Sequence, residues 1–190
     1  MNKVETIQKQ GRFLPTSAET RPPSAVRTFF YTGSQQITKS VEGKPDAVVF
    51  LPPTDYSLKL TIEPKGISNE LHGNIIQIGI GGNCCRYENR VPGIWFRPGT
   101  TKLTVATGDN RQVNHQFYNN ALAINEKHDI EVRVVGSTST VYLNGVVAMR
   151  QTIRARSQLD KVNVYIGSPY TDAANAVISD ISLTPFPDIS

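Results

Sequence analysis

Tyr56-Ser57-Leu58-Lys59-Leu60-Thr61-Ile62-Glu63-Pro64 is the stretch that decides the fold. Tyr56, Leu58, Leu60 and Ile62 alternate with Ser57, Lys59, Thr61 and Glu63, so the apolar side chains share one face of an extended chain. Pro64 lacks the N–H that a sheet interior needs and marks the strand's end. The same period of two recurs at 128–135, where Ile130, Val132 and Val134 alternate with Glu131 and Arg133. Each segment reads as a strand with one packed face and one wet face.

Working outward, short β-prone runs fall at 27–32, 47–51, 56–63, 73–79, 93–97, 102–107, 113–118, 128–135, 140–149, 161–167 and 176–183. Turn chemistry separates them: Arg97-Pro98-Gly99-Thr100 couples a fixed φ to a permissive glycine, and Asn144-Gly145 is the strongest short hairpin or bulge signal. Nothing reads as a helix of more than about three turns. Many short strands at this spacing predict an all-β fold, a two-sheet antiparallel β-sandwich or barrel. Residues 1–26, with Pro15, Pro22 and Pro23 and no apolar period, read as an extended N-terminal arm, leaving 27–190 as the folded domain.

The chain has 190 residues and a formal net charge of +4, 38% hydrophobic and 19% charged. That suits one globular domain with a substantial core. Residues 1–30 hold Lys3, Lys9, Arg12, Arg21 and Arg27 against Glu5 and Glu19, so most of the excess positive charge belongs to these first thirty residues. The folded part is nearly neutral and has no basic stretch interleaved with aromatics, so nucleic acid is not an expected partner. No apolar run is long enough for a membrane-spanning helix.

The opening MNKVETIQKQGRF lacks the apolar core of a secretory signal, and no Asn-X-Ser/Thr sequon occurs. A reducing compartment or a place within a particle is expected, with extracellular display left open. Cys84 and Cys85 are adjacent and cannot staple distant segments, so two reduced thiols are the favoured reading.

Four ordered segments resemble the laminin-G-like branch of the concanavalin A-like lectin/glucanase superfamily. They are the 56–64 stretch; Gly73-Asn74-Ile75-Ile76-Gln77-Ile78-Gly79; His128-Asp129-Ile130-Glu131-Val132 followed by Val141-Tyr142-Leu143-Asn144-Gly145-Val146; and Val164-Tyr165-Ile166-Gly167 with Ile178-Ser179-Asp180-Ile181-Ser182-Leu183. Lys127 stands where the family usually places a Trp, which removes a packing group at the start of that strand. The resemblance implies a jelly-roll β-sandwich. It transfers fold better than function, since such domains bind glycans, proteins or calcium, hydrolyse β-glucans, or serve as structural modules.

Catalysis is not expected. Hydrolases of this superfamily carry carboxylates in an E-x-D-x-x-E run, which is missing; Asp129 and Glu131 share a face but read as a solvated strand. There is no G-x-S-x-G elbow, and Gly79-Ile80-Gly81-Gly82 lacks the Lys and helix of a phosphate loop. No cofactor is expected. His72, His115 and His128 show no ligand spacing, and calcium has only Asp109, Asn110 and Asp172 as loop candidates.

Strand alternation, with 113–118 taken as part of a long excursion, sends the 80–92, 108–112 and 150–160 connections to one end. That predicts a basic, amide-rich rim in which Asn83, Arg86, Tyr87, Arg111, His115, Arg154 and Arg156 bind a glycan, acidic or sulfated, or a protein surface. Arg90, Arg150, Asn89 and Asn110 lie on the same connections. Trp95, inside Ile94-Trp95-Phe96, reads as core rather than as a sugar-stacking platform. The alternative is a structural subunit of a virion, fibre or surface appendage, docking on neighbours through residues 1–26.

Overall fold

The computed structural model describes residues 28–50, 52–67, 71–82, 87–108, 113–153, 156 and 158–186. Twelve strands follow in chain order: β1 Phe29–Gln36, β2 Ala47–Phe50, β3 Tyr56–Pro64, β4 Gly73–Gly79, β5 Gly93–Phe96, β6 Lys102–Gly108, β7 Val113–Ala121, β8 His128–Val135, β9 Thr138–Leu143, β10 Val146–Thr152, β11 Lys161–Ile166 and β12 Ala176–Pro185. They form two six-stranded sheets, β1-β12-β3-β8-β9-β10 and β2-β11-β4-β5-β6-β7. Every neighbouring pair is antiparallel. The expected two-sheet antiparallel sandwich is therefore the fold. Among the described residues the one helical element is a 3-10 turn at Tyr87–Asn89, and no helix is long and apolar enough to cross a membrane. The N-terminal arm, residues 1–26, lies outside the described residues.

Period two builds the core as the sequence predicts. Tyr56, Leu58, Leu60 and Ile62 of β3 and Ile130, Val132 and Val134 of β8 are buried in one cluster with Ile94, Phe96, Leu103, Val105, Val162 and Val164 of the other sheet. β4 departs from a one-wet-face pattern because all of it is buried. Gln77 on its outer side donates to the Gly82 and Asn89 carbonyls, and the Ser168 hydroxyl donates to Gln77, so flanking connections cover that face. The covering turn lies so close to Gly79 that a Cβ there would fall 2.6 Å from the Glu88 carbonyl oxygen. Only glycine admits that approach.

Two sequence expectations are corrected. The 113–118 segment is no excursion: it belongs to β7, an edge strand paired with β6. The 140–149 run is not one strand. Asn144 and Gly145, with φ of 51° and 79°, turn the chain between β9 and β10, because two left-handed residues suit a tight hairpin that matches strand twist. One added strand and one added reversal cancel, so β10 keeps the direction the simpler count gave it.

Strand direction then assigns each connection to an end. The 37–46, 65–72, 97–101, 122–127, 144–145 and 167–175 connections share one end, and hydrogen bonds stitch them. Lys65 N–H donates to Asn175, Leu122 N–H to Thr101, Asn125 N–H to Pro64 and Asn144 N–H to Asp129, all to backbone carbonyls. The start of β8, where Lys127 replaces the expected packing group, is held by buried His128, whose Nε2 lies 3.1 Å from the Ala123 carbonyl. The Asn144 side chain also accepts the Asp129 N–H at 2.8 Å.

Ile178 of β12 is fully buried in the core, whereas Val177 faces the other way and is partly exposed. Ile178→Ala should lower unfolding free energy by about 3 kcal/mol and Val177→Ala by about 1 kcal/mol or less, read from urea unfolding.

Candidate functional site

The outer face of the first sheet carries a trough of about 380 Å³. Cross-strand register builds it. Ser182 of β12 stands opposite Lys59 of β3, Lys59 opposite Glu131 of β8, and Glu131 opposite Tyr142 of β9, giving one row across four strands. Thr61 faces Asp129 in a second row, and Ser57 faces Arg133 in a third. Asp180, Gly145, Leu60 and Ile130 complete the lining.

The groups in these rows fix one another. Arg133 grips Glu131 with a two-pronged contact, Nε to Oε1 at 2.6 Å and Nη2 to Oε2 at 3.0 Å. Ser57 donates to the same carboxylate at 2.7 Å, and Lys59 lies 3.9 Å away. Thr61 donates to Asp129 at 2.7 Å. The Arg133 guanidinium lies over the Tyr142 ring at 4.4 Å from its centroid and donates to the Tyr142 hydroxyl. Burial alone would raise the Glu131 carboxyl, but the bonds from Arg133 and Ser57 and the charges of Arg133 and Lys59 outweigh it, leaving it below the ordinary carboxylate range. The bond to Glu131 in turn raises Arg133.

The predicted rim fares differently. Asn83, Arg86, Arg111 and Arg154 lie outside the described residues, as do Asp109 and Asn110. Tyr87 starts the 3-10 turn and His115 pairs with Ala106 in the β6–β7 ladder; their side chains are not described. Strand direction does put the C-terminal ends of β4, β6 and β10 at one end, opposite the stitched one. Arg156, however, is committed within the chain. Its side chain is 5% exposed, and its guanidinium pairs with Asp55 at 3.0 Å and donates to the Thr54 and Gly136 carbonyls. It clamps three connections together, and its charge is spent on them.

Trp95 is buried, as expected, on the face of its sheet turned away from the inter-sheet cluster that holds Ile94 and Phe96. The Arg90 guanidinium covers its ring at 4.8 Å, and His72 meets it edge-on with centroids 6.0 Å apart. Among the described residues no group of His, Cys, Asp or Glu side chains could hold a metal ion. Asp172, a calcium candidate, pairs with Lys39 at 3.7 Å.

No family model matches the chain, and no curated protein matches it in sequence. Solved structures do match. The binding domain of botulinum neurotoxin DC in complex with SialylT aligns with a TM-score of 0.52 at 13% identity, over 85% of this chain and 43% of that one. The sialidase of Trypanosoma rangeli, in complex with 2,3-difluorosialic acid, gives 0.55 at 12% identity over 80% and 25%. The SAP-like pentraxin of Limulus polyphemus gives 0.53 at 12% over 79% and 74%. This chain thus spans less than half the length of the toxin and sialidase chains. At such identities the likeness is one of fold, a lectin-like jelly-roll sandwich. The trough owes nothing to it and rests on this chain's own register.

Sequence reasoning placed Asp129 and Glu131 on one wet face but missed Lys59, Tyr142 and Ser182 as their neighbours. The signal available was the outward set of each strand; what joins the sets is register.

Glu131 supplies a pH test. A carboxyl held low in the folded state stabilises fully above its unfolded pKa, and that contribution is lost as pH falls through the folded value. Wild type should exceed Glu131→Gln in urea midpoint at neutral pH, and the two should converge in acid, below the ordinary carboxylate range.

Proposed function

We propose that this chain is a non-catalytic, lectin-like module that binds a glycan in the sheet-face trough. The observation that carries this reading is the row Ser182–Lys59–Glu131–Tyr142, an open array of hydroxyl, ammonium, carboxylate and aromatic groups on rigid strands. Sugars are bound by such arrays, through hydroxyl hydrogen bonds and contact with aromatic carbon. The matched toxin domain and sialidase were solved with SialylT and a sialic acid derivative, which supports a sugar-binding use of this architecture. Glu131, held below the ordinary carboxylate range, is unsuited to the proton-donor role that a glycosidase requires of one of its carboxyls. A glycan array should show binding by wild type, and Lys59→Ala with Tyr142→Ala should weaken it at least ~10-fold with unchanged circular dichroism. A bound glycan recovered shortened would overturn the non-catalytic reading.

A second reading, a structural subunit, has its own support at the stitched end. Val41, Ile67, Leu71 and Ile124 are exposed on three of the connections there, and Val146 and Val147 at the adjoining start of β10, with Val146 70% exposed. Aliphatic side chains gathered at one end suit contact with further copies of the chain, and docking through residues 1–26 belongs to the same reading. Sedimentation should show self-association that Leu71→Lys with Val146→Lys abolishes; a wild-type monomer at all concentrations removes this reading.

A further inference from the structure

We infer that the trough selects uncharged sugars and that Asp180 is its anchoring acceptor, an inference that rests on the glycan reading above. Two observations carry it: the charge of the lining and the geometry of one bulge.

Asp129, Glu131 and Asp180 line the trough against Lys59. Arg133 stands beside it, but both prongs of its guanidinium are occupied by Glu131. Lys59 also leans toward Glu131. A sialyl carboxylate or a sulfate entering here meets three carboxylates, with Lys59 the one lining cation and Arg133 held on Glu131. Like charges brought together in a partly desolvated groove discriminate strongly against the wrong ligand. A sugar hydroxyl meets the opposite situation, since an ionised carboxylate accepts hydrogen bonds and donates none.

The three carboxylates are not equivalent. Glu131 is held by Arg133 and Ser57, and Asp129 takes the Thr61 hydroxyl. The Asp180 side chain has no hydrogen bond or ion pair among the described residues. Its place is set by a bulge in β12: Ser179 pairs with Thr61 and Ser182 with Lys59, so Asp180 and Ile181 together oppose Leu60. The ladder on the other side shifts at the same level, between Tyr31 and Ser34 of β1. Ile181 turns into the core, 1% exposed, and Asp180 is left outside, at the trough. Asp180 has a φ of 53°, a left-handed conformation that glycine adopts at less cost. The backbone would be served as well or better by glycine, so the carboxylate itself is what this position supplies. With both oxygens open, it matches a pair of neighbouring sugar hydroxyls.

The experiment is a glycan array carrying neutral, sialylated and sulfated sets, probed with the full chain as wild type, Asp180→Gly and Asp180→Asn, with thermal unfolding of each. Wild type is expected to bind neutral glycans and to ignore the anionic sets. Asp180→Gly should lose that binding at least ~10-fold while its Tm holds or rises. Asp180→Asn keeps tolerance of the left-handed conformation, so it should fold and bind more weakly than wild type. Retention of sialylated or sulfated glycans, sensitive to Lys59→Ala, would overturn the selectivity and leave the glycan reading standing. Neutral binding undiminished in both Asp180 variants would overturn the anchor alone. Wild type that retains no glycan overturns this inference and the reading beneath it.

Discussion

The pairing of β3 with β8 is the constraint on which the rest depends. With Leu58 opposite Val132 and Leu60 opposite Ile130, the inward side chains of the two strands enter one core. The same register sets Lys59 against Glu131 and Thr61 against Asp129 on the outside. Because side chains alternate with period two, a slip of one residue would send the apolar set to water and the charged set inward. The core therefore fixes the trough: the hydrophobic driving force that selects the register also selects which polar groups meet.

Polar interactions then sharpen what the register begins. Glu131 is half-covered, and a carboxylate there would be costly without partners. Arg133 two residues along the strand, Ser57 across it and Lys59 opposite supply them, while Tyr142 gives Arg133 a ring to lie on. The trough floor is thus preorganised, and a ligand need not order it. Asp180 differs because its position is dictated by backbone bulging, and its carboxylate is left for use.

Much of this was legible in sequence, and the limits have physical causes. Alternation in 56–62 and 130–134 gave strands and core faces because burial acts on each strand separately. Asn144-Gly145 signalled a reversal whose backbone demand few other dipeptides meet, although a hairpin and a bulge within one strand look alike until the partner is known. Trp95 is buried as its apolar triplet suggests, but the triplet says nothing of which face is covered; Arg90, on a flanking connection, covers it on the outer side of its sheet. Arg156 misled for a related reason. A loop arginine reads as available charge, and only the fold brings Asp55 and Gly136 within its reach. The row from Ser182 to Tyr142 spans residues distant in sequence, so no local pattern announces it.

The trough and the aliphatic end are neighbours, which joins the two functional readings. Gly145 lines the trough, and the next residue, Val146, is the most exposed of the aliphatic side chains at that end. Asp129, whose backbone is bonded to Asn144, lies at the same limit of the sheet. Register sets Val147 opposite Tyr142, which lines the trough, so the two candidate surfaces adjoin along β9 and β10. The β9–β10 turn that joins them is tied to β8 by paired bonds between Asn144 and Asp129.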